Sequence, residues 1–204
     1  MHLIELQYLP PVYSIITLFK STDIVFPLYL PFRKMSFINR TVIPAANGLT
    51  TLSIPLVGGR ENKEMLKDVR IDNSQGWQVR HWRTITSAYR RSPWFEHYES
   101  GLAPFYETRF DKLADWNLEL LRWVSVTLKL KFEIVALETR PEIDPGYLNA
   151  LRPSNFQEAV FVQGLPVYGQ VFQDRIGFQP NMSVIDLIFN EGNNSRSLIA
   201  KASI

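Results

Sequence analysis

The chain has 204 residues, 46% of them hydrophobic and 21% charged, a formal net charge of +2 and no cysteine. This is the composition of an ordinary globular chain rather than a disordered or fibrous one, and the charge is too small for generic nucleic-acid binding, so no nucleic-acid partner is expected. The missing cysteines exclude disulfides, thiolate nucleophiles and cysteine-ligated metal centres, and His2, His81 and His97 follow no metal-ligand spacing, so no metal site is predicted.

The opening reads as a βαβ unit: a strand near Leu3 to Leu6, a loop QYLPP, a helix from Val12 to Phe19 with Pro11 suited to its first turn, and a strand from Asp23 to Tyr29. In many α/β proteins such a first turn binds phosphate. Here the glycine-rich fingerprints are absent and prolines stand where glycines would admit a ligand. The apolar runs Ile15 to Leu18 and Ile24 to Leu30 fall far short of the roughly 18 residues that cross a bilayer, and no basic segment precedes them. No membrane insertion and a cytoplasmic location are therefore expected.

Next, Asn47-Gly48 marks a hairpin between Thr41 to Ile43 and Leu49 to Leu56. Asn39 and Arg40 stand just before it, either as surface residues or as polar groups converging on a pocket. Gly58-Gly59 and the stretch Arg60 to Lys67 read as a flexible charged loop of the kind that orders over a substrate.

Residues Ile71 to Tyr98 hold three of the five tryptophans and two of the three histidines. A helix from Trp77 to Ser92 is predicted, with Asp72, Asn73 or Ser74 as its cap and Pro93 beyond its end. Wound at about 100° per residue, it places Trp77, His81, Ile85, Ala88 and Tyr89 on one face and Arg80, Arg83, Ser87, Arg90 and Arg91 on another. Aromatics at helical spacing more often pack a core than bind ligands. Guanidiniums crowded on one arc repel each other unless carboxylates or an anionic ligand compensate, which makes phosphate the sharper alternative to plain solvation. His81 is either a hydrogen-bonded core histidine or a general base.

Farther on, Phe110, Leu113, Trp116, Leu120, Leu121, Val124 and Leu128 mark a long amphipathic core helix, followed by a strand Phe132 to Leu137 and a loop Arg140 to Asn155. Ser183-x-x-Asp186 looks like a capping box opening a helix Val184 to Phe189, which Gly192 ends. The predicted fold is α/β, with the N-terminal βαβ unit and a mixed sheet flanked by helices. Residues 1–204 are expected to be one domain, with 193–204 open to being a flexible C-terminal tail.

Together QYLPPVY, FINRTVIPAANGLTTLSIPL, IDNSQGWQVRHWRTITSAYRRSPWFEHY and YGQVFQDRIGFQPNMSVIDLIFNEG resemble, in order, the WbqC-like family. Gln7, Tyr8 and Pro10 match its N-terminal loop, although many relatives have proline where Tyr8 stands. Asn39 and Arg40 match its NR pair; Trp77, Tyr89, Pro93 and Phe95 match its helix block. Tyr168, Gln170, Ser183, Asp186, Asn190 and Gly192 match its closing pattern, while the region between Glu133 and Pro166 is shorter than in many relatives. The resemblance implies a bacterial protein associated with surface-polysaccharide and O-antigen biosynthesis.

Residues and resemblance combined lead to the expectation of a transferase of surface-glycan biosynthesis acting on a nucleotide-linked or phosphorylated sugar. His81 would be the catalytic base; Arg40, Arg83 and Arg90 would hold phosphate; Gln7, Tyr8, Asn39, Trp77, Tyr89, Gln170 and Asn190 would complete the substrate site. These groups would share one concave cavity. A non-catalytic glycan or phosphate binder is the alternative, as is a scaffold protein anchored through Trp77, Trp82, Trp94 and Phe95. A nucleotidyltransferase-like fold is analogy alone, because the HxGH motif is missing. The residues identify neither a cofactor nor an oligomeric state.

Overall fold

Short apolar runs near the N-terminus build a parallel sheet, and a computed structural model of the chain describes residues 2–21, 24–59, 64–131, 134–137 and 151–204. Strand β1 (His2–Leu3) pairs with β2 (Ile24–Pro27), and β2 pairs with β5 (Val135–Leu137), all in parallel. Helix α1 (Val12–Lys20) makes the β1-to-β2 crossover and buries Val12, Ile15, Ile16 and Leu18. The predicted βαβ unit is thus present, and the fold is α/β. Asp23, Phe132 and Glu133, which the predicted strands included, lie outside the described residues, as do 60–63 of the charged loop and 140–150 of the loop Arg140 to Asn155. Of the rest of the charged loop, Leu66–Asp68 is a 3₁₀ turn with Leu66 buried.

The antiparallel pairing forms a separate two-stranded sheet: β3 (Arg40–Ala45) and β4 (Gly48–Ser53), turning at Asn47-Gly48 with Gly48 at φ +124°. Helix α2 (Trp77–Tyr89) packs on β3 and buries Trp77, His81, Ile85, Ala88 and Tyr89, the face its periodicity singles out. It ends three residues before the predicted Ser92, which instead turns back so that its N–H and hydroxyl both donate to the Tyr89 carbonyl. Asp72 caps a preceding 3₁₀ turn, Asn73–Gln75, and Gly76, at φ +57°, stands at the N-cap of α2.

Helix α3 (Phe95–Glu107), which the sequence reading did not foresee, and α4 (Leu113–Thr127) complete the central layer. Trp116 is the hub, fully buried with ring centroids 5.0 Å from Trp77, 5.4 Å from Tyr106 and 5.2 Å from Phe110, the edge-on arrangement aromatic quadrupoles favour. Two short helices, α5 (Ala159–Val162) and α6 (Gln173–Ile176), precede α7 (Val184–Glu191) and α8 (Ser195–Lys201).

One expectation at the C-terminus is corrected. Ser183 does not form a capping box: its hydroxyl donates to the Leu9 carbonyl, 3.0 Å away, and the Asp186 carboxylate turns to other donors because it is fully buried. Residues 193–204 contain α8, which packs on α1 with Ile199 fully buried and Lys20 Nζ donating to the Ala202 carbonyl. Among the described residues, no helix is long and apolar enough to cross a membrane.

Candidate functional site

The basic face of α2 forms one wall of an open groove of about 1000 Å³. Arg83, Thr86, Ser87, Arg90 and Arg91 line this wall; Val171, Phe172, Asp174 and Arg175 line the facing one, with Trp82 in between and Ala46 of the hairpin turn at one end. A recess of about 360 Å³ by Ala45, Thr84 and Phe172 extends it. Four guanidiniums face one carboxylate here. The ion pairs seen among the described residues, Arg109–Asp111, Arg122–Glu119 and Arg152–Glu5, involve none of the four. Thr86 Oγ1 is buried against the groove without a hydrogen-bond partner.

What holds the facing wall in place is a buried carboxylate. Asp186, on α7, accepts from the Tyr168 hydroxyl and from Gln170 Nε2, both at 2.7 Å, and from Asn190 Nδ2 at 3.3 Å. Burial raises its pKa from 3.8 to about 6, and the hydrogen bonds from Tyr168 and Gln170 oppose the rise. Gln170 is also tied to the backbone of Gln179 in both directions. The loop carrying Phe172 and Arg175 is thereby fastened at its base. Gln170 and Asn190, expected in the substrate site, line neither groove nor cavity and satisfy a carboxylate that would otherwise be buried at high cost; Tyr89, expected there too, lines neither and is fully buried near that carboxylate.

Asn39 and Arg40 lie elsewhere. They line a separate cavity of about 620 Å³ with Lys34, Met35, Phe32 and Ile54 at the opposite end of the hairpin. The five steps along β3 from Arg40 to Ala45, at about 3.3 Å each, set the two ends of the strand roughly 17 Å apart. The single cavity expected from the sequence is therefore two. Arg83 and Arg90 belong to one, Asn39 and Arg40 to the other.

His81 sits beneath the hairpin, 6% exposed, bordering neither. Its Nδ1 is 3.1 Å from the Tyr8 hydroxyl, which is 2.8 Å from the Tyr106 hydroxyl. Burial lowers its pKa from 6.5 to about 4, opposed by a hydrogen bond with the Ser53 backbone. The imidazole is therefore neutral at neutral pH. Burial likewise pushes the Tyr8 phenol well above its ordinary value. Gln7 and Trp77 are buried too, and the Gln7 amide oxygen has no partner.

The QYLPP loop offers no phosphate cradle, because the N–H of Val12 donates to the Met182 carbonyl and that of Tyr13 to Asn181 Oδ1. Trp77 and Phe95 are core residues, which removes two of the four anchors of a scaffold interface; Trp82 and Trp94 are half-buried. The sequence reading missed Arg91, Phe172, Asp174 and Arg175 as groove residues. Only Arg91 carried a signal, its place on the basic arc of α2.

No curated protein and no solved structure matches the chain. The WbqC-like protein family matches residues 7–146, which include Gln7, the hairpin and all of α2 but not the wall at 171–175. With more than half of its 204 residues inside that match, the chain belongs to the WbqC-like protein family.

Proposed function

We propose that the arginine groove binds the phosphate-bearing part of a nucleotide-linked or phosphorylated sugar, and that this binding serves a group-transfer step in bacterial surface-polysaccharide biosynthesis. The observation that carries the reading is the set Arg83, Arg90, Arg91 and Arg175, on two facing walls, without a carboxylate partner among the described residues. Guanidiniums match phosphate oxygens in pairs of parallel hydrogen bonds, and an anion between the walls relieves their mutual repulsion. Trp82 and Phe172 add apolar faces on which a sugar or base stacks. The polysaccharide setting rests on the family resemblance.

A second reading, a binding module without catalysis, draws on the position of His81. Its ring borders neither space, and its partners, the Tyr8 hydroxyl and the Ser53 backbone, do not line the groove, so it has no direct proton path to a ligand held there.

Calorimetric titration of the chain with uridine diphosphate and with glucose 1-phosphate tests the groove. Arg83→Gln and Arg90→Gln should each weaken binding about tenfold, whereas Arg109→Gln, a control away from the groove, should not. Equal affinity in all three variants would overturn the assignment. His81→Gln separates catalysis from binding: affinity kept with turnover lost supports the transferase reading, and affinity kept with the cellular phenotype intact supports the binding module.

A further inference from the structure

We infer that the cavity at the start of β3 is a second, independent binding site whose ligand is a carboxylate joined to an apolar body. Its volume of about 620 Å³ is in the range of small-molecule sites. One side is apolar, built by Phe32, Ile54, Pro55 and Leu56, and the other carries Arg40 and Lys34; no carboxylate of the described residues lines it.

Arg40 supplies the specific argument. Its Nε is buried without a hydrogen-bond partner, and its Nη1 meets only the Met35 sulfur, at 3.0 Å. A thioether is a weak acceptor, so this half-buried guanidinium makes no strong hydrogen bond among the described residues, and its buried Nε bears the cost of an unmade one. The unused edge, Nε and the neighbouring Nη2, is the side-on fork that takes both oxygens of a carboxylate in parallel bonds. Asn39 does not compete for the ligand's charge, since its Nδ2 donates to the Ile54 carbonyl at 2.9 Å and fixes the wall.

Met35 lies against the other end of the guanidinium, at Nη1. It is 59% exposed and holds a left-handed backbone, φ +55°, which a non-glycine residue adopts at some cost. A phosphate, by contrast, finds four guanidiniums in the groove, against one guanidinium and Lys34 here.

The test uses the ¹⁵N-labelled full chain, reading arginine Nε–H and backbone amide resonances while hexanoate or inorganic phosphate is added. Hexanoate should move the Arg40 Nε–H signal and the amides of Ile54 and Leu56; phosphate should move Arg83 and Arg90 signals and leave Arg40 in place. Arg40→Gln and Arg40→Lys should each weaken hexanoate binding about tenfold or more, the lysine because it keeps the charge but not the fork, while Met35→Ala should bind at least as well as the parent. Hexanoate that moves no Arg40 signal, equal affinity in Arg40→Lys, or phosphate bound preferentially at Arg40 would each overturn the inference. Should Arg40→Gln fail to fold, the parent's Arg40 signal and the lysine variant decide. Loss of the phosphate response at Arg83 and Arg90 would count against the groove alone.

Discussion

Buried titratable residues set the acid behaviour of this protein, and two of them pull in opposite directions. An unfolded chain protonates His81 near 6.5, whereas the folded chain resists until about 4. Between those values the unfolded state holds more protons, so the stability His81 provides is complete above 6.5 and is lost as pH falls toward 4. Asp186 works the other way. Its folded value near 6 exceeds the unfolded 3.8, so the folded state holds more protons in that interval and stability declines as pH rises through it. The two contributions overlap, and a simple acid melt of the parent chain would hide both. Comparison with His81→Gln exposes the first: the stability advantage of the parent over this variant should shrink by about 3 kcal/mol between pH 7 and pH 4, measured by urea unfolding. For the second, Tyr168→Phe removes one donor from the buried carboxylate, which should cost about 1–3 kcal/mol at pH 7 and move the Asp186 midpoint higher, readable by carboxyl-carbon NMR.

At the level of elements, what the sequence made legible depended on whether the signal was local. The two faces of α2 were legible because a period of about 3.6 residues sorts side chains regardless of what they pack against. Helix α3 was hidden by Gly101 and Pro104, both poor helix residues. Each has a tertiary reason to be tolerated. A side chain at Gly101 would meet Trp123 Nε1 at 2.8 Å, so glycine lets α3 approach α4. Pro104 is exposed, so the carbonyl it leaves without an N–H one turn earlier can turn to water. The Ser183 motif failed for a similar reason: the partner that claims its hydroxyl, Leu9, is 174 residues away. Gly192 did stop α7 as predicted, for a reason stronger than its backbone freedom. Its φ of +53° is one constraint; a Cβ there would also lie 2.3 Å from the Trp94 ring. Gly192→Ala should cost about 2–4 kcal/mol in denaturant unfolding, the combined expense of strain and overpacking.

Over the molecule as a whole, the α/β class and the βαβ start were readable, whereas the site was not, because it joins α2 to a loop more than eighty residues later. No periodicity links Arg83 to Arg175, and nothing local told the Asn39–Arg40 pair to face away from both. The same long-range closure appears in α8, whose Ile199 is fully buried and which packs on α1. Ile199→Ala should lower stability by about 2–4 kcal/mol with no effect on ligand titrations, if the C-terminal helix is part of the cooperative core and remote from both sites.

The hairpin between the groove and the cavity has a consequence for any chemistry performed here. Its hydrogen-bonded ladder is stiff, so it acts as a ruler of fixed length. Two small molecules seated at its two ends would be held too far apart for a bond to pass directly from one to the other. Either one extended molecule lies along the strands with an end in each place, or the reacting partner arrives from solvent at one end only.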